Sequence, residues 1–253
     1  MIKPRNIQRY GWKPSFPDPR DVKFQVTAPI FLPPSIDLRS GCPPIYDQGQ
    51  VGSCTGNAWA AAYEFGLIKE NKVCWPPSRL FIYFGERSYE GTTGSDSGAM
   101  LRDGAKTLNK LGVCNESTWQ YDVSKVTTQP SSPSFVEALK NTITEYQSLS
   151  NDILVLKQCL ASGIPFIFGF TVFDSFESNE VAQTGNMPMP DINNESILGG
   201  HAVLGVGYDD SIQCFIIRNS WGIGWGQKGY FTMPYAYITN PQYASDFWCI
   251  KLV

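Results

Sequence analysis

Near residue 121 the chain changes texture, and that change limits the folds open to it. Upstream, the alanine-rich run Cys54 to Ile68 carries apolar residues at Ala58, Ala61, Phe65 and Ile68, the spacing of one helical face, with Ser53 placed as its N-cap. Arg79 to Arg87 and Met100 to Leu111 read as two further helices, the second stopped by Gly112. Downstream, Pro165 to Val172, His201 to Tyr208, Cys214 to Arg218 and Gly229 to Met233 are aromatic, β-branched and broken by glycine, a pattern that predicts strands. Helices are expected between them, around Ser134 to Glu145 and over Ile153 to Ser162. The chain is thus expected to be α+β, with a mainly helical lobe over 34–121, a mainly antiparallel β lobe over 122–253 and a cleft between them.

Composition removes several function classes. With 42% hydrophobic and 17% charged residues, the 253-residue chain can bury a large core. Twenty basic against 23 acidic side chains leave a net charge of -3 and no basic run, so no nucleic-acid partner is expected. The longest largely apolar stretch, Ile164 to Phe173, is well below the ~20 residues a membrane-crossing helix needs and reads as a buried strand, so no membrane partner is expected. Met1 to Arg9 carry positive charge with no apolar segment behind them, which is not a secretory signal; an intracellular or virion-packaged monomer is expected.

Seven cysteines at 42, 54, 74, 114, 159, 214 and 249 form no CxxC pair, and with one histidine in the chain no metal or other cofactor is expected. If Cys54 is set aside as reactive, the other six are enough for three disulfides or for six buried thiols, and the sequence leaves both open. The glycines of Gly205 to Gly207 and Gly222 to Gly226 do not lie between a strand and a helix, which argues against a phosphate loop.

Residues 1–34 hold seven of the eighteen prolines, so this segment is expected to be an extended strap. It reads either as a pro-segment lying across an active site or as a tail pinned to the surface by Tyr10, Trp12, Phe16 and Phe24.

Imidazole chemistry is confined to His201, which Asn219 follows eighteen positions later, with Trp221 just beyond. Upstream, Gln48 precedes Cys54 by six residues, at the start of the expected helix. A helix N-terminus favours a thiolate, and an imidazolium favours it further, so Cys54 and His201 are expected to share a proton. An asparagine on the second ring nitrogen fixes the tautomer, and Trp221 can shield that bond from water. The Gln48 amide with the Cys54 backbone N–H provides two donors for an oxyanion. Together these are the parts of a thiol hydrolase acting through an acyl-thioester.

Three stretches, Gln48 to Cys54, His201 to Tyr208 and Phe215 to Tyr230, resemble in order the motifs of the papain-like cysteine peptidases, and Pro34 to Arg39 resembles the start of a mature enzyme of that family. The resemblance implies a two-lobe fold with a β-barrel-like second lobe, peptide or protein substrates, and roles for Cys54 as nucleophile, His201 as acid and base, Asn219 as orienter and Gln48 as oxyanion donor. It further implies Ser97 and Gly98 as a backbone wall for substrate, with Gly169 and Ala202 near the second specificity pocket. Three departures stand out. Val51 replaces a cysteine that anchors the nucleophile loop through a disulfide in many members, Thr55 replaces the tryptophan that commonly follows the nucleophile, and the 33-residue leader is far too short for the long helical propeptide. Two other functions suit the same parts: an acyl transferase using the same acyl-enzyme, and a non-catalytic binding protein.

Overall fold

The computed structural model describes residues 10–25 and 32–252. The first strand, β1 (Trp12–Lys13), belongs to the proline-rich strap; β2 (Ser35–Asp37) follows it. Three helices build the first lobe: α1 (Cys54–Lys69), α2 (Arg79–Glu90) and α3 (Leu101–Lys110), the last preceded by the two-residue strand β3 (Ala99–Met100). α1 is buried on nearly every side, so its apolar residues form no single stripe and it runs as a core rod between α2, α3 and the sheet. α2 is capped by Ser78, whose Oγ accepts from the Phe81 N–H at 3.2 Å, and ends at Gly91 in the left-handed region.

The first lobe extends past residue 121. α4 (Ser132–Ala138) follows Ser131 with Pro133 in its first turn, and its Phe135 packs edge-on against Phe81 of α2 with ring centroids 5.1 Å apart. This helix stops well short of the expected Glu145, because Ile143 turns into the core below Leu108 and strand β4 (Glu145–Leu149) begins at once. α5 (Ile153–Ala161) then forms as expected, with the Asp152 carboxylate accepting from the Leu154 N–H at 2.7 Å.

The second lobe is an antiparallel sheet containing β5 (Phe166–Phe173), β6 (Ile197–Asp209), β7 (Cys214–Arg218), β8 (Tyr230–Pro234) and β9 (Ala244–Lys251), with the short helices α6 (Asn179–Thr184) before β6 and α7 (Tyr235–Ile238) before β9. Its order is β4-β9-β5-β6-β7-β8, and β2 pairs onto β6. Of β5, only Thr171 is not fully buried, as a doubly covered strand requires. The sheet is barrel-like without closing, since β4 and β8 are not paired to each other. Backbone covers part of both edges instead: Phe24 and Val22 of the strap exchange hydrogen bonds of 2.8 Å with Ser148 of β4, and Asn186 bridges to Thr232 of β8. Phe166, Phe168, Phe170, Phe215 and Phe231 fill one core on this side, and Trp59, Leu101, Leu108 and Trp248 fill another around α1. All seven cysteines are thiols.

The helices approach so closely that glycine is required at Gly104 of α3, where a Cβ would overlap the Trp59 indole and reach 2.5 Å from Glu86 Oε1. Gly104→Ala is expected to cost about 1–3 kcal/mol through overpacking, read as a lowered thermal midpoint.

Candidate active site

The nucleophile loop carries Cys54 to the first position of α1, where it is fully buried. Ser53 precedes the helix as expected, yet its hydroxyl makes no cap bond; it pairs with the Tyr121 hydroxyl at 2.5 Å and receives the Asn57 amide at 3.0 Å. The helix start is thus not closed by its neighbour's side chain.

His201 lies on β6, which packs against α1, and the backbone of Ala202 after it acts to lower the Cys54 thiol's proton affinity. His201 Nε2 is 2.8 Å from Asn219 Oδ1, an oxygen that also accepts from the Ser220 N–H at 2.8 Å. With an oxygen facing Nε2, the ring carries its proton there when neutral, and Nδ1 is the basic nitrogen. Trp221 stacks on the imidazole at 4.9 Å and 29°, and Phe170 meets it edge-on at 5.7 Å, so the histidine is walled by aromatic rings.

Gln48 is pinned from several sides. Its Oε1 accepts from Ser220 Oγ at 2.6 Å, its Nε2 donates to the Val51 carbonyl at 2.9 Å, and its backbone N–H bonds the Ser220 carbonyl at 2.9 Å. Arg218, buried in β7, holds the preceding turn by donating to the carbonyls of Pro43 and Pro44 at 2.6 and 2.5 Å. The stretch around Gln48 and the stretch 218–222 are thereby one unit, which links Gln48 through Ser220 to Asn219 and His201.

Two of the departures find their physical replacement here. The nucleophile loop is held by Asp96, whose carboxylate accepts the Gly52 N–H at 2.9 Å and the Tyr83 hydroxyl at 2.6 Å, in place of the disulfide that Val51 precludes. Thr55 turns its hydroxyl to Glu86 Oε2 at 2.6 Å, beneath the nucleophile. Burial holds the Glu86 carboxyl well above the usual carboxylate range, and its other oxygen has no partner among the described residues.

The cleft itself is filled by the chain's own strap. Tyr10 stands edge-on to His201 at 6.1 Å and packs on Trp221, while its hydroxyl bonds Glu177. The Gly11 carbonyl accepts the Ala99 N–H at 2.7 Å, and its backbone acts on the Cys54 thiol. Both Gly11 and Gly98 must lack a Cβ, since one on Gly11 would overlap the Gly52 carbonyl and one on Gly98 would overlap the Gly11 carbonyl. Trp12 lies against Gly169 and Gly200, and the strap ends this crossing with Arg102 of α3 clamped on the Asp21 carboxylate at 3.0 and 2.5 Å.

Of the four positions assigned to substrate, Gly98, Gly169 and Ala202 line this path. Ser97, assigned to that wall by its backbone, turns its hydroxyl to Thr92 within its own loop at 2.9 Å. Trp12, Asp96, Gly200 and Asp246 were not singled out as site residues from the sequence: Asp96 and Gly200 adjoin the wall loop and the histidine motif without a role of their own there, and Trp12 stood only as one anchor of the proline-rich strap. Burial under the strap pushes the Cys54 thiol up to about 12, with the Glu86 charge adding to this and backbone bonds from Ala202, Gly11 and Thr55 working against it. That is opposite to the lowered value expected for a thiolate paired with imidazolium, and the cause is desolvation in the covered state.

A cysteine at the start of a helix that packs on the strand bearing a histidine, with that histidine bonded to an asparagine, suits a thiol hydrolase. The model of the papain family cysteine proteases matches residues 32–246. An uncharacterized peptidase C1-like protein of Acanthamoeba polyphaga mimivirus is 41% identical over 97% of this chain and 88% of its own length. Cysteine proteinase 2 of Entamoeba histolytica is 29% identical over 81% of this chain, which spans 64% of that protein. Among solved structures, xylellain, a cysteine protease from Xylella fastidiosa, superposes with a TM-score of 0.89 at 45% identity, covering 100% of this chain and 99% of its own. The procathepsin L 3 of Tenebrio molitor shares the fold at 23% identity, with a TM-score of 0.74 over 92% of this chain and 75% of its own. The chain belongs to the papain family of cysteine proteases, and it is a cysteine-type peptidase.

Asp96→Ala strips the buried Gly52 N–H and the Tyr83 hydroxyl of their acceptor. It is expected to cost about 1–3 kcal/mol in stability, with a faster opening of the nucleophile loop seen as lost amide protection at Gly52 in hydrogen exchange.

Proposed function

We propose that Cys54 attacks peptide carbonyls, with His201 moving the protons, Asn219 orienting the ring and Gln48 with the Cys54 N–H receiving the oxyanion, and that the strap holds the enzyme closed. In the open state the thiolate adds to the carbonyl carbon, and the tetrahedral intermediate collapses as His201 protonates the departing amine. Water, deprotonated by His201, then attacks the thioester, releasing the carboxylic acid and restoring the thiol. The observation that carries the residue roles is the 2.8 Å bond from His201 to Asn219 beside the thiol at the helix start.

The strap is held so that it is not itself a substrate. The Gly11 carbonyl is engaged by Ala99 on the opposite wall, away from Gln48. Trp12, only 8% exposed, supplies the apolar anchor. This supports reading residues 10–25 as the inhibitory part of the leader; residues 1–9 and 26–31 lie outside the described residues.

Two measurements test the reading. Full-length protein and its Trp12→Ala variant are reacted with a peptidyl epoxide and read by intact mass; loss of a buried tryptophan anchor should speed labelling of Cys54 about 100-fold or more. Equal rates would make the strap a structural tail, and any amide cleavage retained by Cys54→Ala would sink the nucleophile assignment. The second is the pH dependence of alkylation. In the full-length chain the rate should keep rising toward pH 12 because the covered thiol stays neutral, whereas in Trp12→Ala the inflection should fall by several pH units as the thiolate gains water, the helix start and His201.

A further inference from the structure

Gln48 and Cys54 carry the two donors for the oxyanion, and the turn between them does not fix their spacing by itself. It runs through Gly49, whose φ is +62°. The Gln48 side chain and N–H are held by Ser220 and Val51, which leaves its carbonyl, and that carbonyl accepts the hydroxyl of Tyr121 at 2.8 Å. The same hydroxyl is 2.5 Å from Ser53 Oγ, on the residue immediately before the nucleophile. Tyr121, from the chain between α3 and α4, therefore touches both halves of the oxyanion site.

The direction of each bond in this line is set from its ends. Arg79 Nη1 donates to Asn57 Oδ1 at 3.4 Å, which turns Asn57 Nδ2 toward Ser53 Oγ at 3.0 Å. A carbonyl only accepts, so the Tyr121 proton goes to Gln48 and the Ser53 hydroxyl donates to Tyr121. Gln48, Ser53 and Asn57 are buried, so a broken link leaves a buried group unpaired. Tyr121 is itself braced: its N–H donates to Glu116 Oε1 at 3.1 Å, the same oxygen takes Arg79 Nη2 at 2.7 Å, and the Arg79 guanidinium lies 3.9 Å over the Tyr121 ring.

We propose that Tyr121 is a positioning residue of the oxyanion hole, its hydroxyl setting the distance between the Gln48 amide and the Cys54 N–H. The inference rests on the peptidase reading and on Gln48 as an oxyanion donor. Val51 takes one hydrogen of the Gln48 amide and leaves the other for the oxyanion. Without the Tyr121 hydroxyl, Gln48 stays tied to Ser220 and Val51 but loses its tie to Ser53. The two donors then drift relative to each other, and the loss falls on the transition state and not on substrate binding.

The test uses the full chain with Trp12→Ala, alone and with Tyr121→Phe, Ser53→Ala or both. Ser53→Ala cuts the link from its other end and removes no cap from α1, since that hydroxyl makes no cap bond. The readings are kcat and KM for a phenylalanyl-arginyl coumarin amide, the affinity of a peptidyl aldehyde measured by protection of Cys54, and the rate of alkylation by iodoacetamide. The aldehyde adds the thiol to form a hemithioacetal whose oxygen enters the hole, whereas iodoacetamide loses iodide to the sulfur without forming an oxyanion. Tyr121→Phe is expected to lower kcat and aldehyde affinity about 10-fold each, with KM and the iodoacetamide rate within about 2-fold. Ser53→Ala should act in the same direction more weakly, and the double variant should lose no more than Tyr121→Phe alone, because both cut one link. Unchanged kcat and aldehyde affinity would overturn the proposal. So would a parallel fall in the iodoacetamide rate, which would make Tyr121 a structural prop of the loop. If Tyr121→Phe does not fold, Ser53→Ala decides by the same criteria, and if Cys54 is labelled by the epoxide without turnover of the coumarin, the aldehyde affinity decides. A Trp12→Ala chain with neither turnover nor epoxide labelling would overturn the peptidase reading and the proposal with it.

Discussion

Everything at this site depends on the packing of the first turn of α1 against β6. The elements bring together residues far apart in sequence, and the sulfur of Cys54 meets the backbone of Ala202 where they touch. For that contact to be possible α1 must be apolar on all sides, which its alanines and Trp59 allow, and β6 must be flanked on both sides, which β5 and β7 provide. Arg218 then ties the stretch around Gln48 to the strand that leads into Asn219, so the donor and the orienting amide are positioned by one clamp.

The parts that could be read from sequence were those with local signatures. α1, α2, α3 and α5 have helical periodicity and clear boundaries, and β5 to β8 are rich in aromatic and β-branched residues punctuated by glycine. β9 escaped because Ser245 and Asp246 break its pattern at the bulge, and β4 because it follows a short helix whose polar tail reads as its continuation. The four-residue site was legible because the motifs come in order along the chain. The strap's path could be suspected from its prolines, but the fit of Gly11 under Gly98 and over Gly52 arises only from three backbones meeting in space. Asp96 and Glu86 were invisible for a similar reason: their partners, Gly52 and Thr55, are set by tertiary approach and not by spacing.

Buried charge is used sparingly and with distinct effects. Arg87, fully buried in α2, donates to the carbonyls of Ser95 at 2.7 Å and Val126 at 2.5 Å and so shapes the wall loop that ends at Gly98. Asp96 joins that wall to the nucleophile loop. Glu86 sits beneath the thiol and raises its proton affinity further. The departures at Val51 and Thr55 are thus each accompanied by a polar contact in the same place, so the local geometry is held by hydrogen bonds where a covalent link or a large ring is absent.

The strap is also a piece of the sheet. Val22 and Phe24 hydrogen-bond the rim of β4 at Ser148. Lifting the strap from the cleft therefore does more than uncover a thiol, because it takes from the Ser148 amide and carbonyl the partners they have among the described residues, Val22 and Phe24. A peptidase that opens in this way gains a bare sheet margin at the moment it gains activity, and a second extended chain, whether a copy of itself or a passing polypeptide, can add there as a strand.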